Sequence, residues 1–123
     1  MENQFLDLEK KYWKAMEEHD YATVKDLTRF PCVLASKRGA NSIDEPTFKK
    51  MFESAAGMSM KINSFNNVVL QQVNESTVIL AYTIEIEKEK IYECVCSSTW
   101  IKQNDRWICA SHSEADLDKD SIN

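Results

Sequence analysis

Glycine and proline are scarce, with two of each in 123 residues. So little chain-breaking material argues against long flexible linkers, and there is no internal repeat or low-complexity tract. Long apolar runs are missing as well. No stretch approaches the length that spans a bilayer, so no membrane partner is expected. Clusters of positive charge are also lacking: the Lys-Lys pairs at 10–11 and 49–50 are isolated, and the net charge is −5 with a pI near 5.0. Nucleic acid requires a basic footprint to neutralise phosphates, so it is not an expected partner either. The first residues, MENQFLDLEKKYW, carry acids early and have no apolar core of the secretory type, which makes cytoplasmic the expected location.

What is present is 43% hydrophobic and 28% charged residues, enough for one core in one domain. The expected limits are 1–115 for that domain and 116–123 for a polar C-terminal tail. Cys94 and Cys96 alternate along a strand, and the other cysteines, Cys32 and Cys109, form no second pair at metal-ligand spacing. The four are expected to be reduced packing residues, with no metal and no cofactor.

Between Glu2 and Glu18, Phe5, Leu8, Tyr12, Ala15 and Met16 recur at helical intervals, with Trp13 on the flank. Asp20 is a good N-cap for a second helix whose apolar face is Val24, Leu27 and Phe30, ending at Pro31. CVLAS at 32–36 reads as a short strand and KRGANS as a loop. Asp44 can cap a third helix with Pro46 in its first turn, a buried stripe of Phe48, Met51, Phe52 and Ala55, and Gly57 closing it. After Gly57 the period changes to two. Segments 60–73, 77–89, 91–102 and 106–114 read as four long strands joined by short hairpins. Helices followed by a meander predict an α+β fold.

His112 is one of two histidines, set in WICASHSE. In a strand, Ser111 and Ser113 point to the face opposite His112, so neither can serve it as a nucleophile, and no G-x-S-x-G elbow occurs. SHSE is therefore not a catalytic triad. With Asn104–Asp105 and Lys88–Glu89 as two-residue turns, Ser97 faces His112, Leu80 pairs with Ser97 and Tyr82 pairs with Val95. In that register Val78, Leu80, Tyr82, Ile84, Ile86, Val95, Thr99, Ile101, Ile108, His112 and Glu114 lie under the helices. The outer face carries Ile79, Ala81, Cys94, Cys96, Ser98, Trp100, Trp107, Cys109 and Ser111. It is too apolar for water in its middle, which predicts a homodimer through Ile79, Ala81, Ser98, Trp100 and Cys109.

Two stretches carry a family resemblance. YWKAMEEHD places Trp13, Ala15 and Asp20 at helix 1 and the start of helix 2. SSTWIKQNDRWICASH places Trp100, a hairpin turn, Trp107 and His112. Over about residues 4–115 the chain resembles the nuclear transport factor 2-like, or cystatin-like, superfamily, and within it the SnoaL-like branch. The resemblance implies three N-terminal helices packed on a strongly curved, cone-like antiparallel sheet, with a pocket between helix 1 and the concave face. It also implies dimerisation through the sheet. It does not fix a reaction. The base carried by steroid isomerases on the strand after helix 2 is missing from CVLAS, and no Asp-His pair of the polyketide-cyclase kind is found.

The expected function is therefore binding of a small molecule, with Tyr12, Tyr82, Ser97, His112 and Glu114 as polar contacts. The alternatives are an acid/base enzyme of isomerase, cyclase or dehydratase type using His112, and a protein-interaction module using the outer sheet. His112 could also be a core-edge residue satisfied by Ser97 or a backbone carbonyl. His19 is expected at a helix C-terminus, interacting with the dipole.

Overall fold

The computed structural model describes residues 2–117. The expected polar tail therefore lies, from residue 118 on, outside the described residues. In chain order the elements are α1 (Glu2–Glu17), α2 (Tyr21–Asp26), β1 (Thr28–Ser36), β2 (Gly39–Ile43), α3 (Glu45–Ser54), β3 (Lys61–Asn74), β4 (Thr77–Glu87), β5 (Ile91–Gln103) and β6 (Arg106–Asp116). The fold is α+β, with three helices and one six-stranded sheet in the order β2-β1-β6-β5-β4-β3. The sheet is curled but not closed. All strand pairs are antiparallel except β1 with β6, which is parallel.

The helix signals act where the sequence places them. Asp20 and Asp44 accept the backbone N–H of Thr23 and Thr47 respectively. α1 closes in a Schellman motif: Asp20 N–H bonds Ala15 C=O at 2.8 Å, His19 N–H bonds Met16 C=O at 3.3 Å, and His19 takes the left-handed φ of 56°.

Three local expectations are corrected. α2 stops at Asp26, so Leu27 is its C-cap and Phe30 lies in β1, which runs straight through Pro31. KRGANS is a tight hairpin whose second arm is β2, pairing Ser36 with Gly39 and Cys32 with Ile43. α3 ends at Ser54, before Gly57, and Met51 and Ala55 of its expected buried stripe are exposed.

The largest correction is the register of β5. The β4–β5 turn contains Lys88, Glu89 and Lys90, pairing Glu87 with Ile91, so Leu80 meets Ser98 and Tyr82 meets Cys96. A slip of one residue reverses every side chain of a strand. Cys94, Cys96, Ser98 and Trp100 therefore face the helices and are buried, and Val95 faces out. The β5–β6 turn is the expected Asn104–Asp105, both residues left-handed (φ 53° and 61°), and it pairs Trp100 with Cys109. Beyond that pair Ala110 is an extra residue, and past it Thr99 meets Ser111 and Ser98 meets His112. The bulge lets Cys109 and His112 point inward together.

Inside the curl, α1 supplies Phe5 and Trp13. Phe5 packs with Val78, Trp100 and Cys109, and Trp13 with Leu80, Tyr82, Ile84 and Cys96. Each such large side chain removed from water contributes on the order of 1.5–3 kcal/mol. A third cluster joins Ala15, Val24, Cys32, Ile43 and Phe48, tying α2 and α3 to β1 and β2.

Candidate functional site

Phe5, Glu9 and Trp13 recur every four residues on the inner face of α1, and Glu9 is only 2% exposed. A carboxylate moved into a protein interior costs several kcal/mol unless donors replace its water. Glu9 has three. Tyr82 Oη and Ser98 Oγ donate to Oε1 at 2.5 and 2.8 Å, and Trp100 Nε1 donates to Oε2 at 2.5 Å. Behind them Trp13 Nε1 donates to Tyr82 Oη at 2.7 Å. On the other side Ser98 Oγ lies 2.8 Å from His112 Nδ1, and His112 Nε2 lies 3.4 Å from Glu114 Oε1. Helix α1 and strands β4, β5 and β6 are thus joined by one polar chain running Trp13, Tyr82, Glu9, Ser98, His112, Glu114. Among the described residues, no buried side-chain nitrogen or oxygen lacks a partner.

The outer end of this chain opens into a cavity of about 610 Å³, within the range of roughly 300–1,000 Å³ that suits small organic ligands. Its polar wall is Glu9, Ser98, His112 and Glu114, and Tyr12, Trp13, Phe48, Phe52 and Trp100 supply aromatic surface. Met16, Met51, Met58 and Met60 also line it. Their unbranched thioethers make a wall that can reshape around different bodies. His19, Arg38 and Lys88 border the same space.

Of the residues expected to contact a ligand, Tyr12, His112 and Glu114 line the cavity. The hydroxyl of Tyr12 is committed: Thr28 Oγ1 spends its proton on Val24 C=O at 2.6 Å, so Tyr12 donates to Thr28 at 2.8 Å. Burial pushes the Tyr12 phenol well above its ordinary range. Tyr82 lies behind the cavity wall, 1% exposed. Burial, and then the neighbouring Glu9 carboxylate, push its phenol up. Ser97 is on the outer face, bonded to Ser113 at 2.9 Å, because the three-residue turn moved β5 by one. Ser98 stands where Ser97 was expected.

The side chain of Glu114 is 39% exposed, and the N–H that His112 presents at Nε2 when its ring is charged holds its carboxyl below the ordinary glutamate value, with Lys88 assisting. The cysteines are free and buried. Burial pushes the thiols of Cys109 and Cys96 upward and that of Cys94 to about 12, so none is an activated nucleophile. Among the described residues, no group of three or more His, Cys, Asp or Glu side chains is placed to hold a metal ion.

Ser98, Trp100 and Cys109, expected on the outer face, are buried on the inner one at 1%, 0% and 6% exposure. Ile79 and Ala81 do lie on the outer face. The same face carries Val95 on β5, Val33 on β1 and Val69 on the edge strand β3, all exposed.

Glu9 is the residue that sequence reasoning missed. An acid four residues from both Phe5 and Trp13, inside an apolar stripe, was the available signal.

No family model and no curated protein matches this chain. Solved structures do. A protein of the nuclear transport factor 2-like (NTF2-like) family from Streptomyces avermitilis, named for a candidate dehydratase activity, superposes with a TM-score of 0.80 at 15% identity, covering 94% of each chain. The CamKII hub homology domain from Chlamydamonas reinhardtii gives 0.80 at 11% identity, over 94% of this chain and 97% of that one. A protein of unknown function with a cystatin-like fold from Nostoc punctiforme gives 0.78 at 10% identity, over 94% and 90%. At these identities the likeness establishes the fold, which is NTF2-like, or cystatin-like.

Proposed function

We propose that this chain binds a small organic molecule in the cavity before His112, with an apolar body against the methionine and aromatic wall and one oxygen against the imidazole. The observation that carries this reading is the meeting of a 610 Å³ cavity with an imidazole whose Nδ1 is committed to Ser98 and whose Nε2 meets, among the described residues, Glu114 at 3.4 Å. Ligand sites characteristically combine such an apolar wall with a few convergent polar groups. The polar contacts are His112 and Glu114, with Tyr12 contributing ring surface. Tyr82 and Ser97, also expected as contacts, are replaced in this reading by Glu9 and Ser98, which hold His112 from behind.

The test is titration with 1-anilinonaphthalene-8-sulfonate, followed by competition with small phenols, alcohols and acids. Trp13 and Trp100 line the cavity, so intrinsic fluorescence gives a second signal. One saturable site is expected, with His112→Ala keeping most of the dye affinity and losing discrimination between polar competitors. Failure of the dye and of every competitor to bind would contradict the reading.

A second reading, acid/base catalysis of the isomerase, cyclase or dehydratase type, is favoured by the His112–Glu114 pair inside the cavity. An enzyme should lose turnover in His112→Ala while keeping fold and ligand. The outer sheet face supports a homodimer or another protein contact, because Ile79, Val95, Val33 and Val69 are exposed apolar residues scattered over a face whose middle carries the small side chains of Ala81, Ser97 and Ser113. Four buried free cysteines fit a reducing compartment, and among the described residues no helix is long and apolar enough to cross a membrane.

A further inference from the structure

The hydrogen bonds converging on Glu9 also decide where the protons of His112 sit. Ser98 has one hydroxyl proton and stands 2.8 Å from both Glu9 Oε1 and His112 Nδ1. Tyr82 and Trp100 already donate to the same carboxylate, and the oxygen of Tyr82 is itself occupied by the indole N–H of Trp13. Ser98, Tyr82 and Trp100 thus all point their protons at Glu9, the arrangement an acceptor-only carboxylate requires. Were the Ser98 proton turned toward His112, Oγ and Oε1 would meet lone pair to lone pair at 2.8 Å. Ser98 therefore gives its proton to Glu9 and accepts one from His112 Nδ1.

We infer that Glu9 and Ser98 are positioning residues that hold His112 with Nδ1 protonated, making Nε2 the nitrogen that exchanges protons and hydrogen bonds with a cavity ligand. The proton that His112 releases leaves from Nε2, beside Glu114, and returns there, while Nδ1 keeps its own. The neutral ring offers a lone pair at Nε2, and the charged ring an N–H, which is the form that bonds Glu114. The ligand class that serves both is a hydroxyl compound, whose O–H donates to the bare nitrogen and whose oxygen accepts from the protonated one. Glu9 is then an anchor and not the base, although it is a carboxylate lining the cavity. The charged groups around the ring are Glu9 through Ser98 from α1, Glu114 on β6, and Lys88 and Arg38 on the two turns that border the cavity. The aromatic edge against it is Trp13, at 5.8 Å. The ligand class rests on the binding reading above; the proton position does not.

The test is a two-bond ¹H–¹⁵N correlation spectrum of the uniformly labelled protein at about pH 9, above the ordinary histidine range. His112 is expected to show a protonated, pyrrole-like Nδ1 and a bare, pyridine-like Nε2. In Ser98→Ala the ring should revert toward the Nε2–H form that free histidine prefers. A wild-type ring protonated at Nε2 would overturn the inference, and so would an unchanged tautomer in Ser98→Ala. The wild-type spectrum needs no variant and decides alone if Ser98→Ala does not fold. Phenol and anisole then probe the ligand class. Phenol should shift the Nε2 resonance and anisole should not. Binding of neither, with the tautomer as inferred, would overturn the ligand class and the binding reading together and leave the positioning role standing.

Discussion

Trp100, on strand β5, donates its indole N–H to the carboxylate of Glu9, on helix α1, across 2.5 Å, and both residues are almost wholly buried. The contact pins the helix to the sheet at the point where the cavity begins. It also gives Glu9 a structural role that can be measured apart from any ligand.

Glu9→Leu is expected to destabilise the fold by on the order of 3–5 kcal/mol, because it leaves the buried donors of Trp100, Tyr82 and Ser98 without their acceptor. Glu9→Gln keeps one carbonyl acceptor and should lose less, about 1–3 kcal/mol. Urea unfolding of the two variants beside the wild type gives the ranking. A Glu9→Leu variant as stable as the wild type would show that the carboxylate holds nothing together.

Tyr82→Phe removes one hydroxyl that both receives from Trp13 and gives to Glu9. Two groups lose a partner, so a cost of about 1–3 kcal/mol is expected with little change of shape. Thermal unfolding followed by tryptophan fluorescence reads it directly.

The pH dependence follows from Glu114, whose folded-state value lies below its ordinary 4.5. A depressed carboxyl stabilises the fold above its unfolded value, and that contribution disappears as pH falls through the folded one. Glu114→Gln should therefore be less stable than the wild type near neutral pH and converge with it in acid, below about pH 4. The gap should be small, since the side chain is 39% exposed and its pairing is partly screened. Urea midpoints across that range check the convergence, and a gap that widens in acid would reverse the assignment.

The outer face separates burial from association. Trp100→Lys places a charge in the core at a residue with 0% exposure and should abolish folding. Ile79→Lys and Val95→Lys lie on the outer face and should leave a folded chain. If two copies meet there, light scattering will give a dimer for the wild type and a monomer for these variants. A monomeric wild type would remove the homodimer.

The sequence carried the larger features of this fold well. Caps at Asp20 and Asp44 and the left-handed Asn104–Asp105 turn are local chemistry, readable because each residue type has one physical reason to stand there. What escaped was the parity of β5. It hangs on whether the turn after Glu87 holds two residues or three, and Lys-Glu-Lys has no glycine or asparagine to mark a turn type. The extra residue Ala110 was equally silent. These two local events moved Ser98 and Trp100 from an expected interface into the core, and placed Ser98, instead of Ser97, beside His112. β2 escaped because five residues reading GANSI are mostly exposed and lack the alternation that signals a strand. His112 and Glu114 were legible as inward-facing on β6, whereas Glu9 was not sought on an apolar helix stripe.

The most direct test of the cavity's role uses its methionines. Met16, Met51, Met58 and Met60 all line it, out of five methionines in the chain. Methyl-¹³C labelling thus gives signals that report mainly on this space, and a library of small phenols, alcohols and acids can be screened against them. Binding in the cavity predicts that hits shift these four methyl groups together with the ring signals of His112, and that Ile79→Lys leaves the response intact. A library that moves none of them, or hits that respond only to changes at Ile79 and Val95, would contradict a ligand site before His112 and turn the search to the outer face of the sheet.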